Sequence, residues 1–233
     1  MFGPKFVIKR GARDEAEKPF WISFADLMTA LMVLFLVVMA VALLAVTKAI
    51  DEPEKKHGEK IKRFLEGLSQ AAEKHDGIKV DINRQVINFG EKARFSFAKS
   101  NLSVEQEIVL RKFIPEVLVL ANEPLGLQVL KRVVVEGYTD KTGSYLSNLN
   151  LSLQRSQRVL CAMFSTAGPY LLTDVQKEEV RALFLVGGYS FNAAKETDEE
   201  SRRVEVRLEF LKHGESRPPA PHAVGNFGNC ALT

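Results

Sequence analysis

Hydrophobic and polar positions divide the chain into one long apolar run, one stretch of helical period, and a region where periods of two and 3.6 residues alternate. From Leu27 to Val46 every position is apolar except Thr29. Twenty residues at ~1.5 Å each match a ~30 Å hydrocarbon core. Residues 20–46 are therefore expected to form a transmembrane helix, and its single carboxylate is Asp26. After Thr47 the chain turns to DEPEKKHGEKIKRF, where Pro53 and Gly58 predict a linker. Ile61, Phe64, Leu65, Leu68, Ala71 and Ala72 then recur at helical spacing, so residues 47–77 read as linker plus amphipathic helix. That helix fits a stalk, a dimer seam, or the first helix packed on a domain.

From Gly77 the period shortens. Ile78, Val80 and Ile82 alternate, Asn83 and Arg84 suggest a turn, and Val86, Ile87 and Phe89 follow as a second strand. Ser103 and Gln106 form a possible capping box ahead of VEQEIVLRKFIPEVLVLA, a helix expected to break or kink near Pro115. A strand opens at Val133–Val135, helices are expected at about 148–166 and 173–182, a short strand runs through Leu185, and a long alternating strand covers 203–210. Strands interleaved with helices imply an α/β (α+β) domain over residues 78–212, with helices on one face of a mixed sheet. Residues 1–19 read as a charged lead and residues 213–233 as an irregular tail.

Composition changes this picture little. The net charge of +3 and the interleaving of Lys and Arg with Asp and Glu leave no nucleic-acid footprint. The apolar run is too long for a secretory signal and follows a charged lead, so an uncleaved anchor is expected. Lys5, Lys9, Arg10, Arg13 and Lys18 precede it, placing the N-terminus in the cytoplasm and the bulk of the chain outside, although Lys48, Lys55 and Lys56 weaken the asymmetry. In an oxidising compartment Cys161 and Cys230 can pair; otherwise Cys161 is a small buried residue and Cys230 a free thiol. The four histidines show no metal-ligand spacing, and no nucleophile with a positioned base or phosphate-binding loop is present. No cofactor and no enzymatic activity are expected.

The chemistry gathers in two places. Trp21 sits where an interfacial aromatic belongs, so Asp26, five residues on, lies roughly 7–8 Å into the bilayer near its cytoplasmic third. An acid at the helix centre costs roughly 2.5–3.5 kcal/mol on insertion scales, which makes it a functional candidate. Ser23, Asp26 and Thr29 share one helix face, and lipid does not tolerate such a face. A partner helix is therefore expected. In the second place, Gly137-Tyr138-Thr139-Asp140 is followed by Gly143, Asn148, Leu151-Ser152 and Arg155, and later by Ser201-Arg202-Arg203-Val204-Glu205.

The second set resembles the peptidoglycan-binding domain of the OmpA/MotB family over residues 78–210 or so. The resemblance implies that Asp140 and Arg155 grip the zwitterionic centre of diaminopimelate in the peptide stem. A carboxylate meets the ammonium, and a guanidinium takes the carboxylate in two hydrogen bonds. Asn148 would orient the ligand, Arg202 would add a cation, and Thr139, Leu151 and Ser152 would support. Three departures bear on binding strength: Tyr138 stands for the usual His, Ser201 for Asn, and Ala98 where many members place a polar contact. The alternative to ligand binding is that Asp140 caps its turn and pairs with Arg155 in a purely structural role.

Pro19-Phe20-Trp21 and Phe24-Ala25-Asp26-Leu27-Met28-Thr29 are similar to the start of the helix in B subunits of ion-driven stators, the MotB class, and most of all to those of Zorya anti-phage systems. That resemblance implies a homodimer within a ring of five multi-span MotA-like subunits in the bacterial inner membrane. Asp26 would carry the driving ion with Ser23 and Thr29 as ligands or packing, the ion being a proton or sodium. The domain would anchor the dimer to peptidoglycan in the periplasm. Flagellar torque generation and a passive wall tether are the alternative outputs; the acid in the span argues against the tether.

Overall fold

A computed structural model describes residues 14–219 and 226–230, with the backbone alone for 14–20 and 50. The lead at 1–13 and tail residues 220–225 and 231–233 lie outside the described residues. The chain divides into two compact units, residues 1–54 and 55–233.

Helix α1, Asp14–Ala72, begins in the first unit and ends in the second. It is long and apolar enough to cross a membrane by length and composition, and none of its most apolar window is buried in protein. Two local expectations fail here. The helix begins at Asp14, inside the stretch read as a charged lead, and it passes through Pro53 and Gly58 without the predicted linker. A proline removes one i to i−4 hydrogen bond. Helix-favouring Glu and Lys on either side offset that loss.

In the second unit, the end of α1 supplies Phe64, Leu65 and Leu68 to the core. Strands β1 (Lys79–Asp81) and β2 (Val86–Asn88) form the expected hairpin. Helix α2 (Val104–Asn122) starts at the Ser103/Gln106 capping box, whose two reciprocal hydrogen bonds are both made. It does not break at Pro115, because Phe113, Ile114, Val117 and Leu118 are buried on both sides of the proline. Tertiary packing outweighs the ~3 kcal/mol that an interior proline costs. A short α3 (Pro124–Val129), not legible in the pattern, leads into β3 (Leu130–Gly137). Helix α4 (Tyr145–Phe164) starts three residues before the expected point, capped by Ser144. Then come α5 (Asp174–Leu183) with a second capping box at Thr173, β4 (Phe184–Gly188), a single turn α6 (Asp198–Ser201) and β5 (Val204–Phe210).

The strands form one mixed sheet in the order β1-β2-β5-β3-β4, antiparallel except where β3 and β4 run parallel. Val133, Val135, Val206 and Leu208 lie on one face and close the core under the helices. The other face carries charge. Glu136 stands directly opposite Glu205, a repulsive arrangement in isolation. Arg207 neutralises Glu136 with two hydrogen bonds of 2.7 and 3.0 Å, while Arg203 and Arg84 each reach Glu205 at 2.8 Å.

The described residues after β5, 211–219 and 226–230, are irregular but docked. Leu211 N–H donates to the Val129 carbonyl, and Arg217 donates to the carbonyls of Ala121, Gly126 and Leu130. A disulfide joins Cys230 to Cys161 on α4, with Cα atoms 5.4 Å apart.

Candidate functional site

The motif residues converge where β3 ends and α4 begins. Close approach of these two elements depends on Gly137, since a Cβ there would stand 1.9 Å from the Ser152 carbonyl oxygen. The turn after β3 is fixed by its own polar groups. Thr142 N–H donates to Asp140 Oδ1 at 3.0 Å, and Asn148 Nδ2 donates back to the Thr142 carbonyl at 2.8 Å. Asn148 thus holds the turn that presents an N–H to the carboxylate. Ser152 accepts the Ser190 N–H at 3.0 Å and ties the end of β4 to α4.

Asp140 is 4% exposed, and its second oxygen accepts from Arg202 Nη1 at 3.1 Å. Burial pushes this carboxyl up, but the Thr142 N–H and the Arg202 guanidinium outweigh it and hold the group below the usual carboxylate range. The Asp140–Arg155 pair of the purely structural alternative is not the one formed. Arg155 is wholly buried and spends its donors on three carbonyls: Lys99 from Nε at 2.9 Å, Tyr138 from Nη1 at 2.7 Å and Ser96 from Nη2 at 3.3 Å. Its guanidinium also lies over the Phe95 ring, 5.1 Å from the centroid. Burial pushes Arg155 down to about 10 against the pull of Asp140, so it stays charged at neutral pH. The cluster of Asp140, Arg155 and Arg202 carries a net single positive charge.

The three departures fall in different surroundings. The Tyr138 side chain turns to the charged face of the sheet, donating to Glu136 Oε2 at 2.7 Å beneath Arg203; only its carbonyl serves Arg155. Burial and Glu136 push this phenol up. Ser201 is buried, accepting the Lys195 N–H and donating to the Thr197 carbonyl, both at 2.8 Å. Ala98 is exposed in a left-handed conformation, φ +53°, in the loop whose carbonyls grip Arg155. Thr139 Oγ1 is buried with no hydrogen-bond partner among the described residues, and Leu151 is half-buried on α4. The acceptor carbonyls of residues 96 and 99, and the Ser190 N–H, could not be found from sequence. Their backbones act, and backbone atoms leave no residue-type signature.

In the first unit, Asp26 lies on α1 with Thr29 Oγ1 donating to the Asp26 carbonyl at 2.9 Å. That bond satisfies the Thr29 hydroxyl within the helix. The neighbouring side chains from Trp21 to Ala49 are exposed, and none of the described residues covers the acid.

The chain is 45% identical over 226 residues to the Zorya protein ZorB of Escherichia coli O139:H28 (strain E24377A / ETEC), a match covering 94% of this chain and 92% of that protein. The chain belongs to the ZorB family. Within this ZorB-family chain, residues 8–50 also match the family described as membrane MotB of the proton-channel complex MotA/MotB. Two solved structures are similar to it at low identity. The OmpA-like domain of FopA1 from Francisella tularensis has 18% identity, covers 58% of this chain and 83% of that one, and gives a TM-score of 0.38. The cell wall anchor of the type VI secretion system (T6SS) from Pseudomonas aeruginosa has 20% identity, covers 66% and 96%, and gives 0.37.

Proposed function

We propose that this chain is the B subunit of a proton-driven, stator-like membrane motor acting in anti-phage defence. The observation that carries the reading is its 45% identity to a Zorya ZorB across 94% of its length, aligned through a span that holds a carboxylate. The basic residues ahead of α1 favour a cytoplasmic N-terminus, which puts the domain in the periplasm of a bacterial inner membrane. The polar face of Ser23, Asp26 and Thr29 calls for a multi-span MotA/ZorA-like partner, five subunits around two copies of this chain.

Asp26 takes a proton where the ring encloses it and gives it up where a hydrated path reaches it, because a bare carboxylate in hydrocarbon is costly. Each charge crossing 100 mV supplies about 2.3 kcal/mol for rotation. A turning ring needs a fixed point. The domain supplies it by binding peptidoglycan, with Asp140 taking the ammonium of the diaminopimelate zwitterion and Arg155 providing positive charge toward its carboxylate, while Arg202 stands on Asp140 in the empty site. Asn148 holds the turn, with Thr139, Leu151 and Ser152 behind it.

Asp26→Asn keeps the size and polarity of the side chain and removes its proton exchange. Co-purification with the multi-span partner should be retained, while proton flux in proteoliposomes falls to background. Flux at the wild-type rate in this variant would sink the reading.

A further inference from the structure

We propose that Arg202 is a built-in occupant of the ligand site: its guanidinium stands on Asp140 where the ligand's ammonium must bind, and the two cations exchange on binding. The inference rests on the reading of Asp140 as the ammonium-binding carboxylate.

Both oxygens of Asp140 are engaged. Oδ1 accepts the Thr142 N–H and Oδ2 accepts Arg202 Nη1, with only 6% of the side chain exposed. An ammonium arriving from solvent therefore meets a carboxylate already paired. The two arginines beside it differ in their freedom to leave. Arg155 is sealed, and moving it would strand the carbonyls of Ser96, Lys99 and Tyr138. The Arg202 side chain is 18% exposed and is held by Asp140 at 3.1 Å and the Phe95 carbonyl at 3.2 Å, both at the long end for N–H···O bonds. Arg202 also follows the four-residue α6, at the junction with β5, outside the packed centre of either element.

Exchange avoids the costly intermediate. A buried carboxylate stripped of its partner is strongly unfavourable, whereas replacing guanidinium by ammonium keeps one cation on Oδ2 throughout. The occupant thus protects Asp140 while the site is empty and competes with ligand when it comes. A competent state populated about 10% of the time weakens apparent affinity about tenfold.

The test uses the full chain in detergent and a soluble muropeptide containing diaminopimelate. Arg202→Gln should bind it about tenfold more tightly than wild type, while Asp140→Asn should lose binding in either background. A muropeptide whose diaminopimelate amine is acetylated should gain nothing from Arg202→Gln. Equal or weaker binding by Arg202→Gln, with Asp140→Asn still defective, overturns the occupant and leaves the binding reading standing. Unchanged binding by Asp140→Asn overturns both. Should Arg202→Gln fail to fold, the Nε–Hε NMR resonance of Arg202 in the wild-type chain decides: it should shift on saturation with muropeptide, and a fixed resonance overturns the proposal.

Discussion

At the scale of single residues, Gly137 shows how a motif position is set by space rather than chemistry. A methyl group there meets the Ser152 carbonyl at 1.9 Å, and backbone on the α4 side cannot rotate out of the way as a flexible side chain can. Gly137→Ala should destabilise the domain by about 3 kcal/mol, the upper end of overpacking costs, and lower its melting temperature by roughly 6–12 °C. Differential scanning calorimetry checks this; a shift under about 2 °C would mean that β3 and α4 can separate freely. The spacing of Asp140, Asn148 and Arg155 was legible because they lie on one turn and one helix. Their partners were not. Arg202 reaches Asp140 across 62 positions of sequence, and the acceptors of Arg155 are carbonyls that any residue could supply.

At the scale of elements, local signals located starts better than interruptions. Ser103/Gln106 and Thr173/Gln176 mark two helix beginnings because a capping box satisfies free N–H groups within four residues. Pro115 was expected to break or kink its helix and Pro53 with Gly58 to form a linker, but both helices run on without a break, since burial and neighbouring helix formers act over a longer range than one lost hydrogen bond. The tail beyond β5 gave no periodic signal, yet Arg217 ties it to three carbonyls at the end of α2, within α3 and at the start of β3. Burial pushes this guanidinium down, so it is held at a cost that the carbonyls offset. Arg217→Ala should destabilise the domain by about 2–3 kcal/mol, the range for hydrogen bonds to a charged group. Guanidinium unfolding monitored by circular dichroism should show a lower midpoint with an unchanged slope.

At the scale of the whole molecule, charge pairing in the second unit predicts its response to acid. Burial pushes Asp140, Glu205 and Glu116 up. Thr142 N–H and Arg202, Arg203 and Arg84, and His75, respectively, outweigh it and hold all three below the usual range. A depressed folded value means the unfolded chain binds protons first. The stabilisation is fully present above about pH 5 and is lost as pH falls below ~4 through the folded values. The melting temperature of the full chain should therefore drop as pH falls below about 4, and Asp140→Asn should flatten part of that slope. A melting temperature flat across this window would show that the pairs contribute nothing net.

The sequence by itself determined the apolar span with its acid, most of the strands and helices of the domain, and the spacing of the motif residues. These are carried by period, length and short spacings, which local physics reads directly. Tertiary structure alone decided that Arg155 braces the site from within, that Arg202 rather than Arg155 holds Asp140, and that the tail is fastened to the domain. Those choices depend on which distant groups meet when the sheet closes and on which charges lose their water.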